Sequence, residues 1–200
     1  MRSRRLLAAL AAMALVACGG GVQRATVLPQ TATVPAVETG ERWTIVKELS
    51  RFDVVGVDVM GGRHPVAFDR WEATIITGAQ NKVVVEVDLT SARASSEMST
   101  RLLKDELLEA GRFPRGTLSA TLRPSRRGGE KHIVEGNITL HGVERGVRFR
   151  GELRKEGPHY RFFARFRISR DAFGIRAKAA WDSLVKDDVH ITVDVVAARE

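Results

Sequence analysis

Lys82-Val83-Val84-Val85-Glu86-Val87-Asp88-Leu89-Thr90 is the clearest strand in this chain. Successive side chains of an extended backbone point to opposite faces, so Val83, Val85, Val87 and Leu89 share one apolar face. The same alternation spreads outward in both directions. Upstream, Trp43-Thr44-Ile45-Val46, Arg51 to Val59 and Pro65 to Ile76 read as strands, with turns at Gly61-Gly62 and from Gly78 to Lys82. Downstream, Gly116 to Leu122, Lys131 to Leu140, Val147 to Leu153, Tyr160 to Ile168 and Val189 to Val195 continue the pattern. The Pro124 to Gly129, Gly142 to Gly146 and Gly157-Pro158 turns separate them. Between Tyr160 and Ile168, Phe162, Ala164, Phe166 and Ile168 share one face.

Eight or nine strands at hairpin spacing imply an all-β barrel or sandwich. Consecutive hairpins favour an up-and-down antiparallel barrel of about eight strands, whose closure removes exposed sheet edges. Eight strands leave a lumen wide enough for one small ligand. One segment breaks the period. Ser95 or Ser96 can cap a short helix on which Met98, Leu102, Leu103 and Leu107 form a stripe, with Gly111 as the stop and Pro114 beyond it.

The amino terminus has a different character. Met1-Arg2-Ser3-Arg4-Arg5 is basic, and Leu6 to Ala17 is apolar but too short to span a bilayer. Leu15-Val16-Ala17-Cys18 then places the chain's one cysteine after small residues. This is the layout of a secretory signal over 1–17. Its end resembles a bacterial lipobox, in which the cysteine is acylated and becomes the first residue. Gly19 rather than Asp follows Cys18, which in bacterial lipoproteins points to the outer membrane. The expected organisation is a signal peptide over 1–17, a lipidated Cys18 with a flexible linker to residue 41, and one barrel domain over 42–200. The barrel would sit in the periplasm of the cell envelope. Ser3-Arg4-Arg5 leaves the general and the twin-arginine export routes both open.

The composition excludes several classes. Hydrophobic residues make up 44% and charged residues 28%, which rules out wholesale disorder. A single cysteine permits no internal disulfide. The net charge is +8, but removal of Arg2, Arg4 and Arg5 with the signal leaves 29 basic against 24 acidic residues. That mild excess, with few aromatics among the arginines, argues against nucleic acid. Arg145, Arg148, Arg150, Arg161, Arg165 and Arg167 form a basic face. It reads either as a solvated outer wall or as a surface for anionic headgroups. The histidines His64, His132, His141, His159 and His190 show no ligand spacing, so no metal is expected. No nucleophile elbow or phosphate-binding glycine loop is present, so neither catalytic residues nor a cofactor are expected. Asp187-Asp188 reads as a turn.

Five stretches together resemble the YceI-like family. They are Trp43 with Ser50-Arg51-Phe52; Asp88-Leu89-Thr90-Ser91 with Arg101-Leu102-Leu103-Lys104 and Phe113-Pro114; Gly136-Asn137-Ile138-Thr139-Leu140-His141-Gly142-Val143; Arg170-Asp171-Ala172-Phe173-Gly174-Ile175; and Val185 to Val193. The third is the most specific. The chain departs from the family's pattern at Val57-Asp58, Ala73 and Leu107-Leu108-Glu109-Ala110, which leaves the identity of a ligand open. The resemblance implies a lipocalin-like barrel that binds polyisoprenoid or another long-chain lipid in its lumen, as carrier or scavenger rather than enzyme. On that expectation Phe52, Val54, Phe166, Ile168, Phe173 and Trp181 are lumen candidates, and Arg51, Arg170 and Arg176 are headgroup candidates. The membrane would be the second partner, through Cys18, and a homodimer stays open. A non-catalytic interaction module with a side-chain-filled barrel is the alternative.

Overall fold

The computed structural model describes residues 22–34, 40–126, 128–176 and 182–199. Thirteen strands build one sheet: β1 (Gln23–Arg24), β2 (Thr26–Val27), β3 (Glu41–Ile45), β4 (Arg51–Val57), β5 (Arg63–Phe68), β6 (Trp71–Thr77), β7 (Asn81–Asp88), β8 (Ala92–Arg93), β9 (Arg115–Pro124), β10 (Lys131–Leu140), β11 (Val143–Glu156), β12 (His159–Ser169) and β13 (Asp188–Arg199). Antiparallel pairing runs β3-β6-β7-β9-β10-β11-β12-β13 and returns from β13 to β3, closing an eight-stranded barrel. The strand proposed at Lys82–Thr90 is β7, which ends at Asp88; its Val83, Val85 and Val87, and Leu89 in the turn just beyond, are all buried.

Three neighbouring staves are bent at one level. A 3-10 turn at Lys47–Leu49 separates β3 from β4, Asp69-Arg70 separates β5 from β6, and a 3-10 turn at Leu89–Ser91 separates β7 from β8. Apolar alternation carries Pro65 to Ile76 through as one strand, and the structure breaks it into β5 and β6. The break is held by polar side chains: the Arg70 amide donates to Ser91 Oγ, and its guanidinium donates to Asp88 and Thr90. Beyond the bend, β4, β5 and β8 carry the wall upward, with β4 paired to β13 over Arg51–Val55.

The two ends of the barrel differ. At the lower end, Trp43, Ile75, Val83, Leu122, Val134, Leu153, Phe162, Val195 and Ala197 fill the interior. Trp43 meets Tyr160 edge-on at 4.7 Å, and its indole N–H donates to Thr77. The upper end is formed by the β4–β5 turn, the β10–β11 turn, residues 170–176 and 182–187 between β12 and β13, and the helix α1 (Glu97–Leu102). Ser96 caps α1 by accepting from the Ser99 amide. A π-helical turn at Leu103–Leu107 follows, and the wider turn rotates the apolar stripe. Met98 is therefore 82% exposed instead of continuing the stripe with Leu103 and Leu107. Glu109, with a left-handed φ of 43°, opens the reversal by accepting from the Arg112 and Phe113 amides, and Gly111 sits inside that turn.

The segment read as a flexible tether departs most from expectation. Beyond their hairpin end, β11 and β12 are directly paired only over Glu152–Glu156 and His159–Phe163. Farther up, β1 and β2 lie between them, β1 parallel to β12 and β2 antiparallel to β11. The Gln23 side-chain amide copies a peptide group, donating to the Arg150 carbonyl at 2.7 Å and accepting from the Arg150 amide at 2.9 Å. Asn137 does the same for Ala32, through bonds of 2.7 and 3.0 Å. Gly146 lies opposite Asn137, and a Cβ there would strike the Gln30 carbonyl. Residues 23–32 are thus a stave of the wall. Apolar alternation could not reveal this, because amide groups and one missing Cβ make the fit. Residues 1–21, including Cys18, and 177–181, including Trp181, lie outside the described residues.

Candidate functional site

The upper half of the barrel encloses a cavity of about 190 Å³. Its deepest ring is Phe52, Val85, Leu118, Ile138, Phe166 and Val193, one residue from each of six strands, and Phe149 stacks on Phe166 with 4.0 Å between ring centroids. Above this ring the inward positions two residues along each strand repeat the pattern, with Val54, Val87, Leu140, Ile168 and Ile191. Leu103, Leu107 and Leu108 cross the top as a lid, and Ile175 and Val185 close the side. The polar side chains along the whole surface are Thr117, Thr139 and Arg170. Such a lining offers a ligand apolar contact and almost no hydrogen bonding.

Four of the six lumen candidates, Phe52, Val54, Phe166 and Ile168, meet in this cavity. Phe173 does not. It is fully buried in the core, in a 3-10 turn (Asp171–Phe173) between β12 and β13, and does not line the cavity. Trp181 lies outside the described residues. The residues that sequence reasoning passed over are chiefly Val85, Val87, Leu118, Ile138, Val189, Ile191 and Val193. Their alternation marked them as inward, but it does not say which inward positions face space and which face packing. Leu107 and Leu108 of the lid sit where the chain departs from the family's pattern.

The headgroup candidates fare differently. Arg51 stands on the outer wall, 2.7 Å from Asp53. Arg170 is 5% exposed, and all five of its N–H donors are used within the chain. They go to the carbonyls of Ile175, Asp182, Val185 and Lys186 and to the Asp182 carboxylate at 2.6 Å. Arg170 therefore ties Ile175 to residues 182–186 ahead of β13 and has no donor left for a ligand. Arg176 is exposed beside Ile175 at the upper end, 3.7 Å from Asp171.

The lid is tied down at its far end. Glu109 Oε1 lies 3.1 Å from His141 Nε2, in the β10–β11 turn, and the ring of Phe113 packs on His141 at 4.4 Å. Both partners hold left-handed backbones, at φ 43° and 53°, and these are the two non-glycine residues with positive φ among the described residues. Such conformations cost on the order of 1–3 kcal/mol each unless their surroundings impose them. Arg112 first, and His141 second, hold the Glu109 carboxyl below its ordinary range.

Half of the basic face is neutralised by cross-strand acids. Arg161 grips Asp194 through two bonds of 2.6 Å, which raises its pKa further. Arg167 pairs with Asp188 at 2.9 Å and Arg148 with Glu135 at 2.7 Å. Arg145 donates to the Ala172 carbonyl. The outer wall is thus ion-paired in part, with Arg150 and Arg165 exposed and in no ion pair among the described residues. Asp187 accepts from Ser169 and from the Asp171 amide, as a turn former does. Among the described residues, no three His, Cys, Asp or Glu side chains converge as a metal site would require.

Three solved structures share this architecture. BcnA of Burkholderia cenocepacia is 22% identical, with a TM-score of 0.66, the match covering 74% of this chain and 96% of that one. A polyisoprenoid binding domain from Saccharophagus degradans, implicated in plant cell wall breakdown, is 14% identical with a TM-score of 0.64, covering 81% and 100%. The Campylobacter jejuni YceI protein is 18% identical with a TM-score of 0.54, covering 68% and 84%. No curated protein matches by sequence. The model of the YceI-like domain matches residues 43–197, from the first strand of the closed barrel to its last, and the chain belongs to that family.

Proposed function

We propose that this protein binds a long-chain lipid of polyisoprenoid, isoprenoid quinone or fatty-acyl type, with its apolar tail in the barrel lumen, for carriage or sequestration. The observation that carries the reading is the upper cavity: apolar on every strand that lines it, floored by packed aromatics and roofed by three leucines. Each buried methylene contributes about 0.8 kcal/mol, so a tail needs no polar partner to bind. A dry apolar cavity of about 150 Å³ holds benzene, so 190 Å³ takes the end of a chain and the rest runs out under the lid. The description of the Saccharophagus degradans domain as polyisoprenoid binding supports this class of ligand. A barrel filled throughout by its own side chains, the setting for a pure interaction module, fits the lower half only. The reading is non-catalytic. Titration of the delipidated protein with a fluorescent polyene fatty acid tests it. Saturable binding that Leu108→Asp weakens at least tenfold supports the reading, and no saturable binding refutes it.

The same proposal places the barrel in the bacterial envelope, on an acylated Cys18 exposed by removal of residues 1–17, with Gly19 favouring the outer membrane. Gln23 is anchored in the wall. The link from Cys18 to Gln23 is then five residue steps, about 18 Å when extended, a short leash in place of a long tether. Labelling of cells with radioactive palmitate tests this. Incorporation that Cys18→Ser abolishes supports it, and an unlabelled wild-type chain overturns it.

A further inference from the structure

We infer that the upper rim of the barrel docks on an anionic lipid bilayer, through the Val59-Met60 turn and Leu184, with Arg63 and Lys186 reading the headgroups. The inference rests on the lipid-binding reading above. A long apolar chain loses about 0.8 kcal/mol per methylene when it passes into water. A lumen built for such a chain therefore exchanges it with a bilayer at low cost only where its mouth touches one.

The rim has the features this contact requires. Val59 and Leu184 are joined backbone to backbone, Val59 N–H to Leu184 O at 3.0 Å, and Asp58 bridges Val185. Val185 lines the cavity, so the patch is continuous with the lumen wall. Met60, at the tip of the β4–β5 turn, is 91% exposed, and Val59 and Leu184 are each nearly half exposed. Of the six large apolar side chains exposed among the described residues, these three and Met98 of α1 stand at the upper end. A lone exposed apolar residue carries no meaning, but a group at one opening marks a contact surface.

The charges flanking the patch set the partner's sign. Arg63, opposite Val57 in the hairpin, and Lys186, whose amide donates to the Val57 carbonyl, are exposed and form no ion pair among the described residues. The neighbouring acids are engaged. Asp58 accepts from the Gly62 amide at 2.8 Å and lies 2.9 Å from His64, and Asp182 is held by Arg170. An apolar tip between two available cations matches an anionic bilayer surface.

The full-length chain is tested with a nitrobenzoxadiazole dye on Met60→Cys and, as a control elsewhere on the barrel, on Leu49→Cys. The chain with Cys18 alone gives the background. Vesicles contain brominated phosphatidylcholine with or without phosphatidylglycerol. Docking predicts strong bromine quenching of the dye at position 60 and weak quenching at position 49. Arg63→Gln/Lys186→Gln lowers the docking equilibrium on anionic vesicles by about 30-fold, at roughly one unit of headgroup attraction per cation. Equal quenching at the two positions, or quenching that ignores both vesicle charge and the cation pair, overturns the inference. Mass spectrometry of lipid extracted from the same preparations reads the lumen separately. Lipid present without rim quenching refutes the docking surface alone, and an extract that stays empty even after incubation with polyisoprenoid, quinone and fatty-acyl vesicles refutes the lipid-binding reading.

Discussion

Replacing Phe166 by Ala should lengthen the lumen by one layer and change which lipid fills it. The Phe166 ring is 1% exposed, forms part of the deepest ring of the cavity and stacks on Phe149. Deleting it opens a void about the size of benzene beneath a cavity of 190 Å³. At about 24 cal/mol per Å³ and about 150 Å³, the empty variant loses about 3.6 kcal/mol, within the roughly 3–5 kcal/mol usual for such a truncation. A ligand longer by one five-carbon isoprenoid unit fills the void. At about 0.8 kcal/mol per carbon it recovers up to about 4 kcal/mol, near a thousandfold in affinity. The assay pairs thermal unfolding with mass spectrometry of the lipids extracted from wild type and variant made in the same cells. The expected result is a shift to longer chains and a melting temperature that such a chain restores. An unchanged chain-length distribution, with the full stability loss, would show that the ring does not bound the ligand.

Other parts of the account make separate predictions. Arg170→Met removes the donor that four carbonyls and the Asp182 carboxylate share, and should cost about 3 kcal/mol in urea unfolding while making the segment before β13 sensitive to protease. Unchanged stability would contradict its role as a lock. Gly146→Val should expel residues 28–32 from the wall, at a cost of about 1–3 kcal/mol, and speed amide exchange at Ala25 and Leu28 while the β6–β7 ladder stays protected. Slow exchange at those amides would contradict the stave. Hydrogen bonds from Thr90 and Arg70 hold Asp88 at a pKa of about 2 instead of 3.8. Its folded-state value is depressed, so its contribution to stability is present above about pH 4 and is lost as pH falls through about 2. Carboxyl NMR titration should show that midpoint, and Thr90→Val should raise it.

The barrel was legible in the sequence because period-2 alternation records which face of each strand is buried, and β7, β10, β12 and β13 emerge close to where their apolar alternation places them. What the alternation does not carry is depth. Phe162 and Phe166 share one face of β12, yet one packs in the filled end and the other borders the cavity. Arg170 looked like a ligand-binding cation because its five acceptors are mostly backbone carbonyls, which leave no trace in the sequence. The stave at Gln23–Ala32 was hidden for a similar reason: Gln23 and Asn137 stand in for peptide groups, and a segment rich in Thr, Val and Pro reads as linker. The helical stripe drifted because a π-turn changes the angle per residue, so Leu108 joins Leu103 and Leu107 in the lid while Met98 is left exposed.

The central claim is that the lumen holds a long apolar chain. The most direct measurement is mass spectrometry of an organic extract from the protein, purified from a bacterial envelope without added lipid and then denatured. The account predicts one long-chain lipid class at close to one molecule per barrel. A folded, monodisperse protein with an empty extract, which also stays empty after incubation with polyisoprenoid, quinone and fatty-acyl vesicles, would contradict it.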